Sequence, residues 1–223
     1  MTQNFLLAAK DYRYLLDREY QPASMLQMIS NRYELSSVER SMLYRGIYSQ
    51  KDCLTRLKKV IPTPASLQNN LLVIDGYNVL ITIASYLQGL PVFVAGDGLL
   101  RDAAYARGKF QKMIKLPEAA GILACHLPRL ITLRTEIYFD RQVGWHPEIM
   151  TIIRQNLHVE EEKFQIAVLD NVDQTLINKS YGIICTSDSV IVAKTNCMVF
   201  DMARYALENS FHPEFMDLSR LVK

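Results

Sequence analysis

Leu71-Leu72-Val73-Ile74-Asp75-Gly76-Tyr77-Asn78-Val79-Leu80 is the stretch from which the fold follows. Its opening apolar run is too short for a helix of its own. It ends in Asp-Gly and then Asn, the pattern of a fully buried strand that carries a carboxylate to its C-terminal tip. In a parallel sheet that tip lies on the edge where ligands bind. One carboxylate binds nothing in particular, so the chemistry depends on whether other strands deliver matching groups to the same edge.

They do, in pattern. Glu136-Ile137-Tyr138-Phe139-Asp140 is a second strand ending in Asp, and Phe164-Gln165-Ile166-Ala167-Val168-Leu169-Asp170 a third, with Asp173 three residues on. Tyr181-Gly182-Ile183-Ile184-Cys185 runs into Thr186-Ser187-Asp188-Ser189, and Cys197-Met198-Val199-Phe200 ends in Asp201. Between them, 117–133 and 146–157 have helical apolar spacing, the latter through Ile149, Ile152, Ile153 and Leu157, and shorter helices begin near 174, 190 and 202. Residues 79–87 start a helix or continue the strand. Strands alternating with helices predict an α/β fold with a doubly wound parallel sheet, Rossmann-like in its layering. Asp75, Asp140, Asp170 or Asp173, and Asp188 then converge on one edge. Helix N-capping explains any single Asp after a strand, and it is the expected role of Asp201. Four such residues in one module favour function.

The remaining segments are plainer. Residues 91–102 predict a short hairpin or loop carrying Asp97 and Asp102, with Gly96 and Gly98 suited to a tight turn. Lys109, Lys112 and Lys115 recur at every third residue, either lining a phosphate path or forming a solvated helix face. Glu160-Glu161-Glu162 predicts a solvated turn.

Before the opening strand the chain is helical. Residues 3–18 place Phe5, Leu6, Ala9, Tyr12, Leu15 and Leu16 on one side. Pro22 can open a second helix, Ser36 or Ser37 can cap a third with Glu39 in a capping box, and a fourth covers 51–60. Arg32-Tyr33-Glu34-Leu35 between two helices resembles a helix-turn-helix connection, and Arg32, Arg40, Arg45, Arg56, Lys58 and Lys59 could face phosphates, although a bundle with a solvated basic face explains them more simply. Ile61-Pro62-Thr63-Pro64 predicts a stiff linker and a boundary, giving a small all-helical domain at 1–62 and an α/β domain at 63–223. Residues 1–64 hold ten Lys or Arg against six Asp or Glu, and the remainder fifteen against seventeen. A basic module beside an acidic one suits a nucleic-acid grip next to a metal site.

No apolar run reaches the length of a membrane helix, and the N-terminus lacks the pattern of a secretory signal. Cys53, Cys125, Cys185 and Cys197 have no paired spacing, so reduced, buried thiols in the cytoplasm are expected and a zinc site is not. His126, His146, His158 and His212 lie at no metal-binding spacing from one another or from a Cys.

Carboxylates held together in a low-dielectric cleft either take up protons or bind cations. Oxygen-only ligation selects Mg²⁺ or Mn²⁺, and such ions support phosphodiester hydrolysis. Ile74-Asp75-Gly76-Tyr77-Asn78, the strand ending in Asp140, Asp170 with Asp173, and Thr186-Ser187-Asp188-Ser189 together resemble the PIN-like superfamily, especially its NYN branch, over roughly 70–210. The whole arrangement also resembles a poorly characterised prokaryotic family of unknown function. The PIN-like resemblance implies a metal-dependent ribonuclease with Asp75 and Asp188 as metal ligands, Asn78 in support, and Asp140, Asp170 and Asp173 completing the site. It also implies an RNA substrate. PIN domains often place an acid after the first strand, and Asp97, Asp102 and Glu118 are the candidates here. The oligomeric state stays open between a single chain and a homo-oligomer. The alternative is a degenerate PIN-like module that binds RNA or protein without cleaving. A haloacid-dehalogenase-like phosphatase would want an acid where Tyr77 stands, and the phosphate loops of nucleotide-binding folds are absent.

Overall fold

A computed structural model describes residues 2–103, 114–144, 146–157 and 161–221. The chain starts with four helices, α1 (Gln3–Leu16), α2 (Pro22–Arg32), α3 (Ser37–Gly46) and α4 (Gln50–Leu57). Their starts are written locally. Thr2 caps α1 by accepting from the Phe5 amide at 3.1 Å. Pro22 occupies the first turn of α2, where its missing N–H costs nothing. Ser36 and Glu39 form the expected capping box, with the Glu39 amide donating to Ser36 Oγ at 3.2 Å and the Ser36 amide to Glu39 Oε2 at 3.1 Å.

The α/β part follows as β1 (Leu71–Asp75), α5 (Gly76–Leu87), β2 (Val92–Val94), β3 (Leu100–Asp102), α6 (Leu116–His126), β4 (Arg134–Asp140), α7 (His146–Asn156), β5 (Phe164–Leu169), α8 (Val172–Ile177), β6 (Ile183–Cys185), α9 (Ser189–Lys194), β7 (Met198–Val199), α10 (Met202–Phe211) and β8 (Met216–Asp217). Each predicted Asp-terminated strand is present. Residues 79–87, open between helix and strand in the sequence, are helical because α5 is apolar almost all round and is buried along most of its length.

Five strands form one parallel sheet in the order β5-β4-β1-β6-β7. Successive side chains alternate between its faces. Leu72, Ile74, Ile137, Phe139, Ile183 and Cys185 join the large core beneath α5, α6, α7 and α10. Val73, Tyr138 and Ile184 point the other way, against Val172 and Leu176 of α8 and Ile191 of α9. From β1 the chain winds outward through β4 to β5, then crosses back to β6 and β7. The helices that follow β1 and β6 therefore leave on opposite faces, and the ends of these neighbouring strands border a crevice at a topological switch point.

Two features tie the helical region to the α/β part. The hairpin β2/β3 pairs with β8 into a second, three-stranded sheet. That sheet completes the core of the helical region, where Phe5, Tyr12, Ile29, Leu43 and Ile47 pack with Phe93, Ala95, Ala103 and Leu218. Gly46 ends α3 at this contact because an added Cβ would lie 2.6 Å from Leu218 and 2.7 Å from Phe93. The linker is docked as well. Val60 bridges Val199 in parallel register, and the Ile61 amide donates to the Val199 carbonyl at 2.7 Å. Lys59 Nζ donates to the carbonyls of Val192, Ala193 and Thr195 at the C-terminal end of α9, at 2.9, 3.0 and 2.6 Å.

Lys109, Lys112, His158 and Glu160 lie outside the described residues. Lys115 pairs with Glu118. All four cysteines are free, but Cys125 is exposed, contrary to the expectation that every thiol is buried. No described helix is long and apolar enough to cross a membrane.

Candidate functional site

The tip of β1 forms the floor of the crevice. Asp75 is buried, and α5 starts immediately after it at a residue that must be glycine. A Cβ on Gly76 would sit 2.5 Å from the Phe139 ring and 2.8 Å from the Tyr138 carbonyl oxygen. This close approach seats the first turn of α5 against the end of β4, and Asn78 on that turn reaches Ser187 after β6.

The turn after β6 is held from several directions. Thr186 Oγ1 donates to Asp75 Oδ2 at 2.8 Å, and the Asp188 amide donates to Thr186 Oγ1 at 3.1 Å. Asn78 Oδ1 accepts from the Ser187 amide at 2.7 Å and from Ser187 Oγ at 3.1 Å. Arg101 Nε donates to the Ser187 carbonyl at 2.7 Å. Asp188 caps α9, accepting from the Val190 and Ile191 amides at 2.7 and 3.1 Å. Both capping bonds fall on Oδ1, so capping uses one of its two carboxylate oxygens.

Six aspartates line one cleft, and four of them, Asp75, Asp140, Asp173 and Asp188, come from the strand ends of the parallel sheet and the turns that follow them. Burial pushes the Asp75 carboxyl up to about 7, with the negative charges of Asp188 and Asp173 adding to the rise and the Thr186 hydroxyl opposing it. Asp173 is also raised, first by burial and then by Asp188 and Asp140. The four groups thus share one electrostatic field, which a cation or a proton would relieve.

Asp170 does not belong to it. The strand ends at Leu169, and Asp170 turns outward, 84% exposed, to pair with Arg141 at 2.6 Å. Of the two acids left open after the third strand, the fold brings in Asp173, one turn later on α8. The candidates for an added acidic position also separate. Glu118 is exposed and paired with Lys115. Asp97 is fully buried and accepts two bonds from Arg101, at 2.6 and 2.8 Å, with Arg56 at 3.4 Å. Asp102 lines the cleft but faces Arg45 at 3.4 Å. Both aspartates of the hairpin are therefore engaged by arginines.

Arg101 escaped sequence reasoning. It is 2% exposed and links the hairpin to the Thr-Ser-Asp turn. The available signal was an arginine inside the apolar hairpin four residues after Asp97, a spacing that normally implies nothing outside a helix.

The opposite wall is the helical region. Arg40, Tyr44, Arg45, Tyr48 and Arg56 line the same cleft of about 1410 Å³ as the carboxylates. Among the described residues, no three His, Cys, Asp or Glu side chains stand close enough together to hold an ion by themselves. Mg²⁺ keeps several waters and commonly uses only one or two protein carboxylates. An oxygen-only donor set with mutually repelling carboxylates fits a hard divalent ion held by a pair with water completing the shell. It does not fit zinc.

Comparison with known proteins adds kinship without an activity. A protein family of unknown function, DUF434, matches residues 4–59. An uncharacterized protein of Methanocaldococcus jannaschii is 27% identical over 202 residues, covering 90% of this chain and 95% of that protein. No solved structure matches the chain. A domain of unknown function, DUF5616, matches residues 64–205, well over half of the chain, and the chain belongs to that family.

Proposed function

We propose that the chain is a Mg²⁺- or Mn²⁺-dependent ribonuclease of the PIN-like type, in its NYN branch, which hydrolyses phosphodiester bonds of RNA in the cleft between the sheet edge and the helical region. The observation that carries this is the meeting of Asp75, Asp140, Asp173 and Asp188, from four separate stretches, in one cleft where burial and the neighbouring negative charges raise the proton affinity of Asp75 and Asp173. Helix capping alone would not gather them.

When bound, a divalent ion supplies Lewis-acid polarisation of the phosphodiester and acidifies the attacking water. Asp75 and Asp188 are its principal holders. Thr186 fixes the Asp75 carboxylate through its hydroxyl, and Asn78 fixes the turn that carries Asp188 through the Ser187 amide. Asp173 and Asp140, at the rim, orient water. The arginines of the facing wall balance the phosphates of the strand.

Cleavage of a labelled single-stranded RNA in Mn²⁺ tests the proposal. Asp75→Asn and Asp188→Asn each abolish it, and activity that survives both substitutions refutes the assignment. That no three candidate ligands cluster among the described residues favours a second reading, a PIN-like binding module that has lost catalysis. Calorimetric titration separates the two: the ribonuclease binds Mn²⁺ with heat that Asp75→Asn weakens, whereas the binding module shows neither heat nor a thermal shift.

A further inference from the structure

We propose that α3 carries a base-stacking subsite in which Tyr44 receives a base and Arg40, one helical turn earlier, contacts a neighbouring phosphate, so that the cleft selects single-stranded RNA over duplex. This rests on the ribonuclease reading for the identity of the ligand as RNA, but not for the subsite itself.

The cleft is larger than the ~300–1,000 Å³ typical of small-molecule pockets, at about 1410 Å³, and the helical region lines it with Arg40, Arg45 and Arg56 beside Asp52, whereas the sheet edge lines it with Asp75, Asp140, Asp173 and Asp188. A polymer that reaches from the carboxylates to the helices fills it better than a mononucleotide does. On the helical wall, α3 buries Ser41, Met42, Leu43 and Gly46. Tyr44 is excluded from that packing and stays 53% exposed, although it is a large aromatic side chain. It lines the cleft together with Arg40. Residues four apart on a helix are surface neighbours, so ring and guanidinium are presented side by side.

The charges on this wall are not equivalent. Arg45 faces Asp102 and Arg56 faces Asp97, each at 3.4 Å. Arg40 instead makes a long contact of 3.5 Å to a neutral amide oxygen, Asn31 Oδ1. Its positive charge is offered to the cleft. An exposed aromatic face beside a guanidinium that faces no carboxylate among the described residues is the pairing by which proteins track single strands, with bases on the rings and phosphates on the cations. In a duplex the base faces are already stacked on each other, and the ring has nothing to receive.

Fluorescence anisotropy of a short labelled RNA in EDTA, where no turnover occurs, tests the subsite on the full chain. Tyr44→Ala is expected to weaken single-strand binding by about fivefold to a hundredfold, and Tyr44→Phe to retain it. Arg40→Ala is expected to lower the slope of log affinity against log salt by about 0.7. A blunt duplex should bind more weakly than the single strand and ignore Tyr44→Ala. Native affinity in Tyr44→Ala, a preference for duplex, or no RNA binding at all overturns the proposal, the last leaving this face to a protein partner. Tyr44 and Arg40 are exposed, so circular dichroism should show both variants folded. If Asp188→Asn abolishes cleavage while Tyr44→Ala binds normally, the subsite fails and the ribonuclease stands. If Tyr44→Ala loses binding and no RNA is ever cleaved, the subsite stands and the ribonuclease fails.

Discussion

Removing the carboxylate of Asp97 should cost this protein much of its stability, because of what it would leave behind. Arg101 is 2% exposed, and both of its terminal nitrogens donate to Asp97, at 2.6 and 2.8 Å. Arg56 approaches the same carboxylate at 3.4 Å. Asp97→Ala strands a guanidinium in the interior, a change that costs about 3–5 kcal/mol. In a chain of this length 1 kcal/mol corresponds to about 2–4 °C in Tm, so thermal melting followed by circular dichroism should show a fall of about 6–20 °C. Replacing both partners by apolar groups removes the stranded charge, and Asp97→Ala/Arg101→Met should recover most of the loss. Burial works against the charged form of Asp97, but Arg101 and Arg56 outweigh it and hold the carboxyl below its ordinary value. Its contribution is therefore complete above about pH 4 and is lost as pH falls through the lowered folded value. A fall below about 2 °C for Asp97→Ala, or a double variant no more stable than the single one, refutes this account.

Three other substitutions probe separate parts of the fold. Gly76→Ala forces a methyl group against the Phe139 ring and the Tyr138 carbonyl and should destabilise by about 1–3 kcal/mol; urea denaturation at the wild-type midpoint would refute the close-approach argument. Asp201 is raised to about 6 by burial while it accepts from the Leu100 and Arg204 amides. A raised carboxyl favours folding in its protonated form, so stability should fall as pH rises from about 4 to 6, by up to about 3 kcal/mol. Asp201→Asn should flatten that limb in urea melts taken across the range, and an unchanged slope rejects the assignment. Lys59→Met removes a cation from three carbonyls at the end of α9 and should cost about 2 kcal/mol; a loss under about 0.5 kcal/mol in the same measurement would show that those bonds exchange evenly with water.

The parts of the molecule that were legible in the sequence are those fixed by neighbours along the chain. The apolar runs ending in Asp75, Asp140 and the Thr186-Ser187-Asp188 turn needed only the two-residue period of a strand and a polar stop. The Ser36–Glu39 box and the Asp201 cap needed only a three-residue reach. Asp170 and Asp173 were indistinguishable because both stand within one turn of a strand end, and the decision rests on Arg141, which reaches across from the end of β4. Arg101 was invisible because its partner Ser187 lies 86 residues away. The docking of Lys59 on α9 likewise depends on contacts more than 130 residues apart. The two prolines after it imply stiffness, but stiffness carries no information about what a segment lies against.

The shared core of Phe5, Leu43, Phe93 and Leu218 has a consequence for how the chain is made. A ribosome delivers the four helices before the hairpin at 92–102 and the strand at 216–217, and until those have emerged the apolar side of the helices stays unfinished. The helices must therefore wait for a strand made much later, with their greasy surface open to chaperones in the meantime. Cutting the chain at its family boundary would make that waiting state permanent.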